Sequence, residues 1–209
     1  MINTNFLGRI IFFAACLIIS GFFTAAVLTV LDSIPPDSGK TIFRPPYIGS
    51  EKPFYSTKQL RTDLLPALDH TLVLSRPSLE DLYNQFKGVH LDHLGVVSNQ
   101  RIHCKAYMPS YGASFANHIN SGLLGLLFDD PIETKMPALI AYIQVGIDFY
   151  GMLKLGQRWN SNGGHGSGRK LPIAFAAVIL DNEEMKNAVI SAVDNYLATG
   201  IESFQEDGH

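Results

Sequence analysis

The sequence predicts a mainly α-helical protein that begins with a membrane-spanning segment. Three observations carry this. An uncharged run of 22 residues, Ile10 to Leu31, stands near the N-terminus. Beyond residue 58, apolar residues recur at helical spacing and strand-like alternation is almost absent. Of the 209 residues, 46% are hydrophobic and 17% are charged, against about 25% charged in an average soluble domain. A mean hydropathy of +0.12 excludes a disordered chain. The net charge of −3, with no block of Lys or Arg, argues against a nucleic-acid binder driven by phosphate contacts. Two cysteines, Cys16 and Cys104, cannot make a disulfide framework. The length suits one domain of ordinary size.

Spanning a bilayer takes about 20 apolar residues in a helix, and residues 10–31 supply them. Arg9 precedes the run, and Asp32 and Asp37 follow it. The positive-inside tendency then puts the N-terminus in the cytoplasm and the bulk of the chain outside, in the periplasm or the extracellular space. A cleavable signal is the alternative, with Thr24-Ala25-Ala26 as its small-residue site. The apolar run continues past that site to Leu31, and its length favours a retained anchor. Cys16 reads as a small apolar residue facing lipid.

The expected order is an anchor or signal over 1–31, an extended arm over 32–57 and a helical domain over 58–209. Pro35-Pro36, Pro45-Pro46 and Pro53 mark the arm, because proline pairs favour extended chain. A short helix is expected from Lys58 to Leu68, broken near Pro66. Ser78, with an acid three residues on, is a good N-cap for a helix to about Lys87. Residues 88–110 read as irregular. Helices then follow from Tyr111 to Phe128, Met136 to Gln157, Leu171 to Leu180 and Glu183 to Thr199. The second of these is apolar nearly all round, as a buried helix is. Phe204 to His209 reads as a polar tail.

The most unusual string is Trp159-Asn-Ser-Asn-Gly-Gly-His-Gly-Ser-Gly-Arg-Lys170. Its four glycines in six positions let the backbone approach a ligand closely. Arg169 and Lys170 stand where a helix begins, and free backbone N–H groups there favour anions. His165 can exchange a proton near neutral pH. Together these suit a carboxylate or sulfate; a capped helix–helix connection is the plainer alternative. Gly163 and Gly168 have phosphate-loop spacing, but Arg169 and Leu171 replace its Lys and hydroxyl residue, and the preceding element is a helix. The dinucleotide fingerprint likewise needs a strand first.

Gln144 and Asp148 lie four residues apart on the apolar helix and share a face. A buried carboxylate needs a partner; Arg169, Arg158 or a hydroxyl are the candidates. Ser114, His118 and Ser121 share one side of the preceding helix. That side is either solvated or lines the same cavity as the glycine loop. His90, His93, His103 and Cys104 are zinc-ligand types at no tight spacing, so they read as partly exposed loop residues and no metal is expected. Cys104 has no evident activating partner, and no Gly-x-Ser-x-Gly elbow occurs.

Four segments carry a resemblance: Phe43-Arg-Pro-Pro-Tyr-Ile-Gly49, Met108-Pro-Ser-Tyr-Gly112, Gln144-Val-Gly-Ile-Asp-Phe-Tyr-Gly151 and Asn162-Gly-Gly-His-Gly-Ser-Gly-Arg-Lys170. Over residues 42–209 the chain resembles secreted bacterial α/α-toroid polysaccharide lyases of the alginate- and heparinase-like group. The chain has too few helices to close a toroid, so the implied fold is a partial, shortened one. The implied reaction is β-elimination on an acidic, uronate polysaccharide, with no cofactor. That chemistry needs a carboxylate neutraliser, a base and an acid. By residue type the resemblance makes Asn162 and Arg169 neutralisers, His165 the base, and Tyr111 or Tyr150 the acid. Lys170, Trp159, Asp148, Gln144 and His118 complete the expected substrate-binding set. The competing expectation is a non-catalytic accessory subunit that docks its arm and apolar helices on membrane protein partners.

Overall fold

The computed structural model describes residues 29–90, 111–161 and 166–208. The expected membrane segment, residues 10–31, lies outside the described residues except for its last three. The fold is mainly helical, with five α-helices and no strand among the described residues. These are α1 (Leu79–Phe86), α2 (Tyr111–Leu126), α3 (Ile132–Lys154), α4 (Lys170–Ile179) and α5 (Glu183–Thr199).

Helix α3 is the hub. Helices α1, α2 and α4 pack on it, and α5 packs on α4. Its length and apolar character would suffice to cross a membrane, but most of it is buried inside the fold, as a core helix is. From Ala138 to Met152 only Ile140 and Gln144 escape full burial. The sequence pattern is apolar all round because neighbours cover α3 on every side. Gly146 permits the closest of these approaches. A Cβ there would stand 2.2 Å from the carbonyl oxygen of Pro172 on α4, so only glycine lets the two backbones meet.

The helix ends follow local chemistry. Ser78 Oγ accepts the Asp81 N–H at 3.0 Å, and the Asp81 carboxylate accepts the Ser78 N–H in return, a capping box. Asn182 caps α5 by accepting the Met185 N–H at 2.8 Å. Gly200, left-handed at φ 71°, ends it. At the end of α2, the buried Lys135 donates to the carbonyls of Leu126 and Phe128. Carbonyls that the helix leaves unpaired thereby find a donor.

Three expectations change. The short helix expected over Lys58 to Leu68 is two single 3-10 turns, Thr57–Gln59 and Thr62–Leu64, neither with a buried residue. A helix nucleus is costly without a packed face, and the Arg61 N–H is given to the Ile179 carbonyl at 2.8 Å instead. The arm is extended but returns on itself. Phe43 N–H donates to Tyr55, Thr57 N–H donates to Thr41, and Phe43 and Ile48 enter the core. The polar tail is a docked segment, because Phe204 is fully buried.

Candidate functional site

Asp148 is buried on α3, and its partner is none of those expected. Arg44, from the arm, meets it with both guanidinium nitrogens, Nη1 to Oδ1 at 2.7 Å and Nη2 to Oδ2. A fork-to-fork pair of this kind is geometrically demanding. The Arg44 guanidinium also lies 3.5 Å from the centre of the Tyr47 ring. Gln144 Nε2 donates to the Arg44 carbonyl at 3.2 Å, and its side chain also hydrogen-bonds Asp148. Gln144 and Asp148 therefore share a face, and together they clamp the arm to the hub helix.

A second group surrounds the glycine loop. Trp159 is fully buried, stacked on Phe204 at 5.4 Å and edge-on to Phe149 at 5.8 Å. Arg169 is fully buried too. Its Nη1 donates to the Ser167 carbonyl at 2.7 Å, and its guanidinium lies 4.4 Å from the centre of the Phe115 ring. Lys170 pairs with the buried Asp207 at 2.6 Å. Asp207 also accepts the N–H groups of Ser203 and Phe204. Gly166 N–H donates to Gln205 Oε1 at 3.0 Å, and Gly168 N–H donates to Glu206 Oε1 at 2.6 Å. Gly168 has φ +88°, and a Cβ there would stand 2.9 Å from the Cα of Ala116. The segment 202–208 thus clasps the loop from outside. Asn162 and His165 lie outside the described residues. Tyr111 opens α2. His118 is exposed on α2, and its carbonyl accepts from Gln85.

Tyr150 stands apart from both groups. It lines a cleft of about 390 Å³ between the arm, the end of α3 and the start of α5. Pro46, Ile48, Pro53 and Leu155 form the apolar part of the lining; Glu51, Lys52, Tyr55, Lys154 and Glu184 form the polar part. Neither Trp159, Arg169, Lys170, Asp148 nor Gln144 is among the lining residues. Tyr150 hydrogen-bonds to the Glu184 carboxylate. Lys154 reaches Glu184 at 2.9 Å and also pairs with Glu51. Lys52 donates to the Pro46 carbonyl at 2.6 Å.

These contacts set the protonation of the cleft. Burial pushes the Tyr150 hydroxyl well above its ordinary value, and the Glu184 hydrogen bond and charge add to that. Burial and Glu184 push Tyr55 up in the same way. Hydrogen bonds from Lys154 and Tyr150 hold Glu184 below the usual carboxylate range. The same two carboxylates, Glu184 and Glu51, hold the proton on Lys154. The Tyr150 and Tyr55 phenols and the Lys154 ammonium thus hold their protons more tightly than usual, whereas burial lowers Lys52. Such a surface can offer hydrogen bonds to an oxygen-rich ligand.

Arg44, Glu51, Lys52, Tyr55, Lys154 and Glu184 were not among the residues the sequence pointed to. One was within reach: Lys154 follows Tyr150 by four positions and so shares its helix face. The others come from remote segments. No family model, curated protein or solved structure matches the chain. Of the possible metal ligands, His93, His103 and Cys104 lie outside the described residues. His90 is a buried residue, not the partly exposed one expected, and its Nε2 stands 3.1 Å from the Gln85 carbonyl. Asp69, His70 and Asp129 place ligand atoms within 4.8 Å of one another, all three exposed. In that group His70 Nδ1 is already engaged by Asp129 at 2.7 Å.

Proposed function

We propose that the chain is a membrane-anchored, extracytoplasmic, lyase-like module that acts on acidic polysaccharide by β-elimination, with the sugar held in the Tyr150 cleft. The observation that carries this reading is the cleft itself, where the Lys154 ammonium stands 5.7 Å from the centre of the Tyr150 ring among aromatic, proline and charged side chains. Ligand sites of this kind combine an apolar lining with a few convergent polar groups.

In the reaction a base removes the proton next to the uronate carboxylate. The electron pair forms the new carbon–carbon double bond, the bond to the glycosidic oxygen breaks, and an acid protonates that oxygen. Tyr150 is taken as the acid from its position in the cleft beside Lys154. The Lys154 and Lys52 ammonium groups suit a carboxylate that gains charge on its way to the transition state. By residue type the resemblance offers His165 as the base, a role that the His165→Ala variant tests; among the described residues, the lining of the cleft itself contains no histidine. No cofactor takes part.

The test is incubation of the full chain with a panel of polyuronates, read by the ultraviolet absorbance of the unsaturated product. Product formation that is lost in His165→Ala and Tyr150→Phe supports the reading. No product from any polyuronate, or full activity in His165→Ala, overturns it.

A second reading has its own observation. On the outer side of the fold, α5 and the residue just beyond it leave Ile190, Leu197 and Ile201 exposed. Ile190 and Leu197, seven residues apart, share one face of α5, which suits a non-catalytic subunit docked on a membrane protein partner. Gentle extraction from native membranes, with intact mass and identification of co-purifying chains, separates the two. A stoichiometric complex favours the subunit; a free chain favours the lyase-like module.

A further inference from the structure

Two ion pairs that share Lys154 cross the mouth of the Tyr150 cleft. Lys154 sits at the end of α3, with its side chain 34% exposed, and Glu184 on α5, itself 65% exposed, holds it from one side. Tyr150 binds the same Glu184 carboxylate, so that side is a three-membered hydrogen-bonded unit. The other partner, Glu51, comes from the arm and is 71% exposed. Among the described residues, Lys154 is the donor its carboxylate meets. An exposed pair of this kind adds little stability and opens readily.

We infer that Lys154 is a carboxylate-reading position and that Glu51 occupies it in the free protein until a ligand carboxylate takes its place. This rests on the carbohydrate reading above and names the part of the ligand that the cleft recognises. Three features of the geometry support it. Lys154 already holds a carboxylate at the cleft mouth, so that place accepts this group. Its second partner, Glu184, is retained by Tyr150, so Lys154 keeps its position when Glu51 leaves. Tyr55, Tyr150 and the prolines Pro46 and Pro53 line the space next to the exchanged carboxylate, where the rest of a sugar would lie. Glu51 therefore sets a threshold: a neutral sugar gains nothing at Lys154, whereas an acidic one replaces one ion pair with another.

The experiment is calorimetric titration of the full chain in detergent with a hexuronate tetrasaccharide and with its carboxyl-reduced, neutral counterpart. It is run on the wild type, Glu51→Gln and Glu183→Gln. Glu183 is an exposed α5 acid paired with Lys186 outside the cleft, so its variant controls for general charge. Glu51→Gln is expected to tighten uronate binding roughly two- to fivefold, the range that loss of an exposed competing pair allows. The neutral sugar is expected to be unchanged, and Glu183→Gln to change neither. Equal tightening in Glu51→Gln and Glu183→Gln, or no tightening in Glu51→Gln, overturns the placeholder role. If the wild type still prefers the uronate in that case, the carbohydrate reading stands alone. If neither protein binds either sugar, both fail. Lys154→Met, checked for an intact fold by circular dichroism, is expected to erase the preference for the uronate over the neutral sugar.

Discussion

Asp148 and Tyr150 stand two residues apart on the same helix, yet they belong to opposite kinds of environment. Around Asp148 the polar groups satisfy one another: Arg44, a third exposed, forks onto the carboxylate, and Gln144 ties both to the arm. Around Tyr150 the polar groups are also paired, but their partners are the exposed ends of Glu51, Lys154 and Glu184, which face a cleft. The first group ties the arm to the hub helix. The second stands at a cleft, with Glu51 and Glu184 largely exposed. Two polar residues on one buried helix thus take different roles according to which segment covers them.

This contrast can be broken by substitution, and the largest effect belongs to the closed side. Trp159→Ala removes a fully buried indole from between Phe149 and Phe204. It is expected to cost about 4 kcal/mol in denaturant unfolding and to release the segment 202–208 to proteolysis. A loss below about 1 kcal/mol would show that the clasp is not part of the core. Arg44→Ala leaves the buried Asp148 carboxylate without its cation and is expected to cost about 3 kcal/mol. Pairing Arg44→Met with Asp148→Leu should recover most of that loss. A double variant as unstable as the single one would show that the arm is held by something else.

The open side is expected to respond in function rather than stability. Tyr150→Phe keeps the ring and removes the proton donor. We expect product formation from polyuronate to fall about a hundredfold, with the unfolding midpoint nearly unchanged. A large drop in stability with unchanged activity per folded molecule would move Tyr150 to the structural side of the comparison.

The smallest effect is a pH dependence. Glu184 is held below its ordinary value, so its contribution is present above the unfolded carboxylate value. It is lost as pH falls through the lowered one. Glu184→Gln is expected to flatten the acid limb of the stability profile by less than about 1 kcal/mol. It should also lower the Tyr150 titration seen by ultraviolet absorbance, since one cause of its rise is removed. An unshifted phenol would mean that burial alone holds the proton.

The helices were legible in the sequence because their signals are local. Ser78 and Asp81 make a cap from residues three apart, and the all-round apolar pattern of α3 announces its burial wherever its neighbours come from. The last helix, Glu183 to Thr199, has the same limits in the sequence reading and in the structure. The shared face of Gln144 and Asp148 also followed from spacing alone. Chain-distant pairing was not legible. Arg44 lies 104 positions from Asp148, and nothing in the arm's proline-rich pattern marks one arginine as the mate of one aspartate. The segment after Phe204 looked like a polar tail because its acids are read as solvated. Their real partners are Lys170 and the backbone of the glycine loop.

What the sequence determined by itself is the helical class, the order of the helices, the Ser78 cap and the burial of α3, because backbone hydrogen bonding and hydrophobic period act over a few residues. Only the tertiary structure decided which polar groups pair within the core and which line the cleft. The arm sets a guanidinium on Asp148 and a carboxylate beside Lys154 within a few residues of each other. A side chain's electrostatic partner is fixed by proximity in space, and that proximity follows from how the arm closes over the hub helix.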